Sequence, residues 1–474
     1  MKATTARSAA AQHKADLLRS LRITVAEGVM AMPIVTMSLP VNVFMTALVA
    51  KAYALPKTTI GLITALPFIA NFLQIFAAPF IARWKPPKFV TVTAATCHLV
   101  TWIALSVMLP WVPRNDPTTA GQVLIVWFLL SSFFSAIAGV SWNAWIQEWV
   151  PVRLRGKYFG RRNGTLQIST LCFVLGAGWA LAHWQYSIPV FQAIIGVAAF
   201  MRVFSLRWQS QTPSRPHKQH STAPALPLRQ QIDVVLKSRS LLVFIAFGAV
   251  WSFATNCFGP FYHVFMFEEL DFSAFDVGVL FTLSQLGGAL SLPAWGPLLD
   301  RYGNKAVMTA SLILWQVQNF LWCFLTPANS ELLYGMWLWG GITSAGFILG
   351  QFTILLRLIP VEAKGLAIGV NLAVTSLFAA LAPITGGKVL TWALAHWSAD
   401  PLAVYHVCFI LQPVLVLSGC FLLLRVHEPS ASSLTMVFGA MRNIRTLSGI
   451  LGLSFLTNYI FFKEPRKDTS GKSP

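Results

Sequence analysis

Few residues in this chain can do chemistry, and most of them sit inside long apolar runs. Glu27 and Asn42 lie in the run 24–50, Asn71 and Gln74 in 58–82, and Trp142 and Asn143 in 120–149. Trp251 and Asn256 lie in 240–266, Gln285 in 274–299, Trp339 and Thr343 in 331–358, and Asn371 in 365–393. A polar group taken into an apolar medium without a partner costs roughly 2–7 kcal/mol, so each is a candidate binding group by default. Their chemistry is recognition rather than bond making. Amides donate and accept, and an indole face can stack on the apolar face of a ring while amides bond its hydroxyls. Asn71 and Gln74 are three apart and share a helix face. Each amide could equally bridge two helices. Glu27 is the one carboxylate of this set, able to carry a proton or a sodium ion, or to pair with a link arginine such as Arg153. His98 and His406 read as packed core histidines, and His263 as a weak proton relay.

Constellations for catalysis are missing from the pattern. The six cysteines (Cys97, Cys172, Cys257, Cys323, Cys408, Cys420) have neither metal nor redox spacing and read as small apolar residues. His396 and Asp400 are four apart but isolated. No enzyme, no cofactor and no metal site is expected, with a membrane-embedded transferase as the alternative from another class.

These residues are positioned by a membrane architecture. The chain is 55% hydrophobic and 11% charged, with a mean hydropathy of +0.63, whereas soluble domains carry about 25% charge. The net charge of +19 suggests nucleic acid only until its placement is considered. The charges cluster in short links between apolar runs, not on one face, so the bilayer and not nucleic acid is the partner. Twelve runs reach the ~20 residues that a spanning helix needs: 24–50, 58–82, 89–112, 120–149, 164–184, 188–207, 240–266, 274–299, 306–326, 331–358, 365–393 and 402–425. Placing the N-terminus inside puts every Lys and Arg on the cytoplasmic side except Lys51, Lys57, Arg114 and Lys388. The positive-inside rule therefore predicts both termini in the cytoplasm of a multi-pass inner-membrane protein. No cleavable signal is expected.

The chain repeats itself. Residues 151–160 and 360–369 both fit Pro-x3-(Arg/Lys)-Gly-x3-Gly, and 61–90 align without gaps to 278–307. The sequence divides into a cytoplasmic segment 1–23, a six-helix bundle 24–207, a polar linker 208–239, a second six-helix bundle 240–426 and a tail 427–474. Within the tail, 446–462 read as an interfacial helix or a thirteenth span. The expected fold class is an all-α polytopic membrane protein with twelve transmembrane helices in two pseudo-symmetric six-helix bundles, most simply a monomer. Two such halves imply a substrate path between them.

At its links the chain resembles the major facilitator superfamily. The segment Gly296-Pro-Leu-Leu-Asp-Arg-Tyr-Gly-Asn-Lys305 looks like that family's signature between helices 8 and 9, while Ile81–Lys88 keeps only the terminal Lys. The run Trp142–Asn163 is similar to a branch of largely uncharacterised bacterial members. The resemblance implies a secondary or facilitative transporter working by alternating access, with a cavity lined by helices 1, 2, 4, 5, 7, 8, 10 and 11. It implies an inner gate in which Asp300, with Arg301, Gly303 and Lys305 around it, meets Arg153 or Arg155. Glu148 would pair with Arg83, Lys85 or Lys88, and Gly156 and Gly365 would permit turns into helices 5 and 11. A sensor or scaffold without transport is the alternative. Arg is absent from the middle of every run, Arg202 lying near an inner end, and deep acids are nearly missing. Organic anions and cationic drugs are therefore disfavoured, and a small neutral polar solute, a sugar or glycoside first, is the expected substrate. A proton or a sodium ion would accompany it if Glu27 couples transport.

Overall fold

The computed structural model describes residues 2–84, 86–150, 152–212, 227–397, 400–428 and 432–443, with 446, 450 and 451, and omits the side chains of 2–18, 77–84, 147–149 and 152–157. Each apolar run becomes a helix, because a backbone in hydrocarbon must satisfy its own hydrogen bonds. The first six are α1 (Lys2–Met37), α2 (Lys57–Trp84), α3 (Pro87–Met108), α4 (Pro117–Trp149), α5 (Val152–His183) and α6 (Ile188–Gln211). The second six are α7 (Arg239–Glu268), α8 (Ala274–Tyr302), α9 (Asn304–Asn319), α10 (Leu332–Leu358), α11 (Lys364–His396) and α12 (Pro401–Leu424). All twelve, α9 with its 3-10 extension to Phe324, are long and apolar enough to cross a membrane.

Local chemistry sets the ends. Asp116 caps α4 by accepting from the Thr118 and Thr119 amides, and these contacts, with the Thr119 hydroxyl foremost, hold its carboxyl below the usual range. Ser273 and Asp276 form a capping box at α8. Gly303 joins α8 to α9 at φ 87°, a conformation that disfavours any side chain. Within the expected linker, Leu228–Lys237 form a short amphipathic helix.

Helix pairing is repeated between the halves. α1 packs on α6, α2 on α4, α3 on α4, α1 on α5 and α3 on α6; in the second half α7 packs on α12, α8 on α10, α9 on α10, α7 on α11 and α9 on α12. Two six-helix bundles related by pseudo-symmetry follow. Between bundles the main seams are α2 with α11 and α5 with α8. Backbones touch there: a Cβ on Gly61 would overlap the Pro383 carbonyl, and one on Gly178 would lie 2.6 Å from the Ala274 carbonyl oxygen.

The seam is closed at one face only. At the face carrying Lys57 and Glu268, one apolar core runs through both bundles, from Phe44 and Phe191 to Phe265 and Phe409. The turn Val43–Ala52, partly π-helical, plugs this end and packs on α5, α7 and α8. Lys57 pairs with Glu268 at 2.5 Å, Lys51 donates to the Phe267 carbonyl at 2.6 Å, and the Ala274 amide donates to the Tyr186 hydroxyl at 3.0 Å. Toward the opposite face, which carries the basic links, the core splits into clusters confined to single bundles. Gly160 and Gly164 on α5, Gly296 on α8 and Gly369 on α11 have open space where a side chain would be.

Replacing Gly61 by Val should weaken the closed end by about 1–3 kcal/mol through overpacking against α11. A cysteine placed at Val49, fully buried in the plug, should then react several-fold faster with an impermeant maleimide. An unchanged labelling rate would show that the α2–α11 approach does not hold this end shut.

Candidate functional site

The densest polar cluster lies inside the first bundle. Glu27 on α1 is enclosed by Arg162 from α5 at 3.8 Å and Arg202 from α6 at 3.7 Å, with all three side chains at most 8% exposed. The Ser205 hydroxyl donates to Glu27 Oε1 at 3.2 Å and accepts from Arg202 at 2.9 Å, and Gln209 donates to the same carboxylate oxygen at 3.4 Å. Arg162 also donates to the Thr24 carbonyl and stacks 4.3 Å over the Trp142 ring. Helix spacing makes this possible. Arg202, Ser205 and Gln209 fall on one stripe of α6, and Glu27 meets them because α1 and α6 pack along their length. The cluster borders a cavity of about 260 Å³ whose lining includes His98, Trp142, Asn143 and Gln209.

This arrangement corrects two expectations. The link arginine that pairs with Glu27 is Arg162 rather than Arg153, with Arg202 as a second partner, and these cations sit in the buried body of the first bundle. Arg162 reads in sequence as part of the basic link 153–162, but α5 carries it inward. The signal that could have located Arg202 was its stripe with Ser205 and Gln209.

The amides fall into two groups. Asn71, Gln74, Gln285 and Asn371 are half-buried on α2, α8 and α11, with no side-chain hydrogen bond to another described residue. Their helices are among those that form the two seams between the bundles. Asn42 instead caps Val43–Thr46, accepting from the Met45 amide and donating to the Met37 and Leu39 carbonyls. Asn256 donates back to the Ser252 carbonyl. Trp251 packs on Phe347, and Trp339 donates to the Leu314 carbonyl, so both face the interior of the second bundle. Thr343 is fully buried and bonds the Trp339 carbonyl. His98 accepts from the Trp102 indole at 3.0 Å and contacts Ser38 and Ser131, tying α1, α3 and α4.

At the basic face, Asp300 is exposed with no partner among the described residues, and Arg301 lies 5.3 Å over the Tyr302 ring. Lys305 donates to the Val426 carbonyl, and Lys88 to the Ser210 carbonyl. The side chains of Arg83, Lys85, Glu148, Arg153 and Arg155, the surroundings of Gly156, and most of 446–462 lie outside the described residues. Gly365 begins α11 in open space. Sequence alone did not single out Glu428. Its carboxylate accepts from the Asn304 and Lys305 amides at the start of α9 and pairs with Arg357 at 3.1 Å, where the helix dipole favours a negative charge. Among the described residues no group of three His, Cys, Asp or Glu side chains is poised to hold a metal.

Twelve helices in two repeated bundles around a one-sided cleft define a multi-pass membrane protein of transporter architecture. The Major Facilitator Superfamily model matches residues 29–256 and 250–463, and the chain belongs to that family. An uncharacterized MFS-type transporter, YfiU of Bacillus subtilis (strain 168), is 33% identical over 146 residues, 28% of this chain and 26% of that protein. The MFS-type transporter opaD of Aspergillus ustus is 26% identical over 166 residues, 34% of this chain and 26% of that protein. The chain thus aligns with about a quarter of the length of each. Among solved structures, the nucleoside transporter NupG superposes with a TM-score of 0.63 at 15% identity, over 87% of this chain and 98% of that one. A D-xylose-proton symporter gives 0.62 at 12%, over 88% and 98%. A bacterial homologue of the human lysosomal transporter Spinster, inward-facing and unoccupied, gives 0.60 at 12%, over 94% and 98%. At these identities the likeness is one of fold.

Truncating Arg202 to Ala leaves Glu27 buried with half its compensation. The expected loss is about 3–5 kcal/mol, read as a lowered thermal midpoint of the purified protein. Replacing Glu27 by Gln in the same background should recover part of it. A midpoint unmoved by Arg202→Ala would show that the cluster does not hold α1 to α6.

Proposed function

We propose that the chain carries a small neutral polar solute across the membrane by alternating access. The observation that carries this is the one-sided core: apolar packing joins the two bundles at the Lys57–Glu268 face and is replaced at the basic face by separate clusters. Rocking about the midplane would close the basic face and open the other. The positive-inside rule makes the basic face cytoplasmic, with both termini there, in the inner membrane. In this orientation the described state is open to the cytoplasm. Half-buried amides at Asn71, Gln74, Gln285 and Asn371 lie on seam-forming helices, which favours a solute with hydroxyl or amide groups. A nucleoside transporter and a D-xylose-proton symporter share the fold, and both solutes are of this kind. A sugar or glycoside is the leading class, and the functional unit is a monomer.

A second reading has its own observation. Arg162 and Arg202 outnumber Glu27 beside the first-bundle cavity, and the surplus positive charge favours a solute bearing one carboxylate. Competition decides between them. Neutral sugars should inhibit uptake in proteoliposomes and monocarboxylates should not; inhibition by monocarboxylates alone would replace the neutral class.

Glu27 is the proposed coupling group. It takes up a proton when a shift of α1 within the first bundle parts it from Arg162 or Arg202, because a lone buried carboxylate is costly when charged. Asp300, exposed and without a partner among the described residues, is the proposed gate residue that meets the basic link at 153–155 when the face closes. Glu27→Gln should abolish the pH dependence of uptake and leave exchange without a gradient within a few-fold of normal. Retained pH dependence would remove Glu27 from coupling.

A further inference from the structure

The second bundle encloses a cavity of about 230 Å³ between α7, α8, α9, α10 and α12. None of its lining side chains is charged. Its walls are aromatic: Trp315, Trp322 and Trp337 line it with Tyr262, whose ring packs 4.3 Å from Trp322. Amides stand between the rings. Gln318 is 8% exposed, lines the cavity and has no side-chain hydrogen bond to another described residue. Gln412 is 6% exposed and accepts from the Tyr262 hydroxyl through its oxygen, which leaves its NH2 group for a ligand. The Trp337 indole N–H is buried without a partner. Two amide side chains that open on an aromatic-walled void at this depth lack partners unless something polar fills it, so the cavity suits a polar occupant. The void is smaller than the about 300 Å³ at which drug-sized pockets begin, so the occupant is compact.

Two glycines keep the space open. A Cβ on Gly259 would meet nothing within 4 Å, and one on Gly340 would lie 3.1 Å from the Gln318 amide oxygen and 3.7 Å from the Trp315 indole nitrogen. Neither helix of the α2–α11 seam contributes to the lining.

We propose that this cavity binds a compact neutral ring bearing hydroxyls, of monosaccharide size, and that the second bundle alone recognises it. The ring's apolar face lies against Trp315 or Trp322, and its hydroxyls bond Gln318 and Gln412. As an assignment of the transported solute, the proposal rests on the alternating-access reading above. It places recognition away from the seam amides.

The test uses the full-length protein in nanodiscs with D-xylose and D-glucose, and with glucosamine and glucose 6-phosphate as charged counterparts. Thermal midpoint and tryptophan fluorescence are followed up to tens of millimolar ligand. The neutral sugars should raise the midpoint with concentration and the charged ones should not. Gln318→Ala should weaken binding at least tenfold, and Gly340→Val, which fills the void, should remove it. If Gly340→Val does not melt cooperatively, Trp337→Phe replaces it and should weaken binding several-fold. Binding unchanged in these variants, no shift with either neutral sugar, or shifts confined to the charged sugars would overturn the proposal. Counterflow in proteoliposomes separates the two claims. Binding that depends on Gln318 without counterflow would sink the transport reading and leave the site standing. Counterflow indifferent to Gln318→Ala would sink the site and leave transport standing.

Discussion

The structure depends on where two helix bundles are allowed to touch. Apolar side chains cannot drive helices together in lipid as they do in water, so close contact must come from shape. Here glycines supply it. Gly61 and Gly387 let α2 and α11 meet at their backbones, and Gly178 does so for α5 and α8. All three lie toward the face that also holds the Val43–Ala52 plug. The same two helix pairs diverge toward the other face, where Gly160, Gly164, Gly296 and Gly369 have no neighbour. Small residues at these ends leave room for a second contact of the same kind, as the proposed alternating access requires.

The duplicated bundles have taken different roles. The first keeps its polar chemistry as charge, with Glu27 shared by Arg162 and Arg202 and packed under Trp142. The second keeps it as neutral amides and indoles around a void. Burying a charge requires a partner with fixed geometry, whereas amides can exchange partners at lower cost. The charged cluster and the neutral cavity thus lie in different bundles.

Sequence made the scaffold legible and the site only partly so. Twelve apolar runs, two repeated motifs and the Asp300–Lys305 link were enough for the two bundles, because hydrocarbon leaves a chain almost no other way to satisfy its backbone. Side-chain direction was harder. Asn42 lies in an apolar run like Asn71, yet it caps a turn that follows the end of α1 at Met37, a break that Pro40 marks and that hydropathy alone passes over. Trp339 was placed toward the path, but α10 turns it onto α9. Arg162 looked like link charge because apolar runs were bounded by hydropathy, and α5 continues beyond that bound. Trp315, Gln318, Trp322 and Gln412 were missed because α9 and α12 are peripheral by topology, although their inner faces still line the bundle interior.

The Lys57–Glu268 pair has a consequence of its own. Its side chains are 16% and 31% exposed, and exposed pairs contribute about 0.2–1 kcal/mol. Yet it is the one ion pair among the described residues that crosses between bundles at the shut face. A latch of that strength adds little to equilibrium and is reached by electrolyte, whose screening length is about 8 Å at physiological ionic strength. Salt in the surrounding fluid therefore weakens this contact, by no more than the small free energy the pair itself contributes.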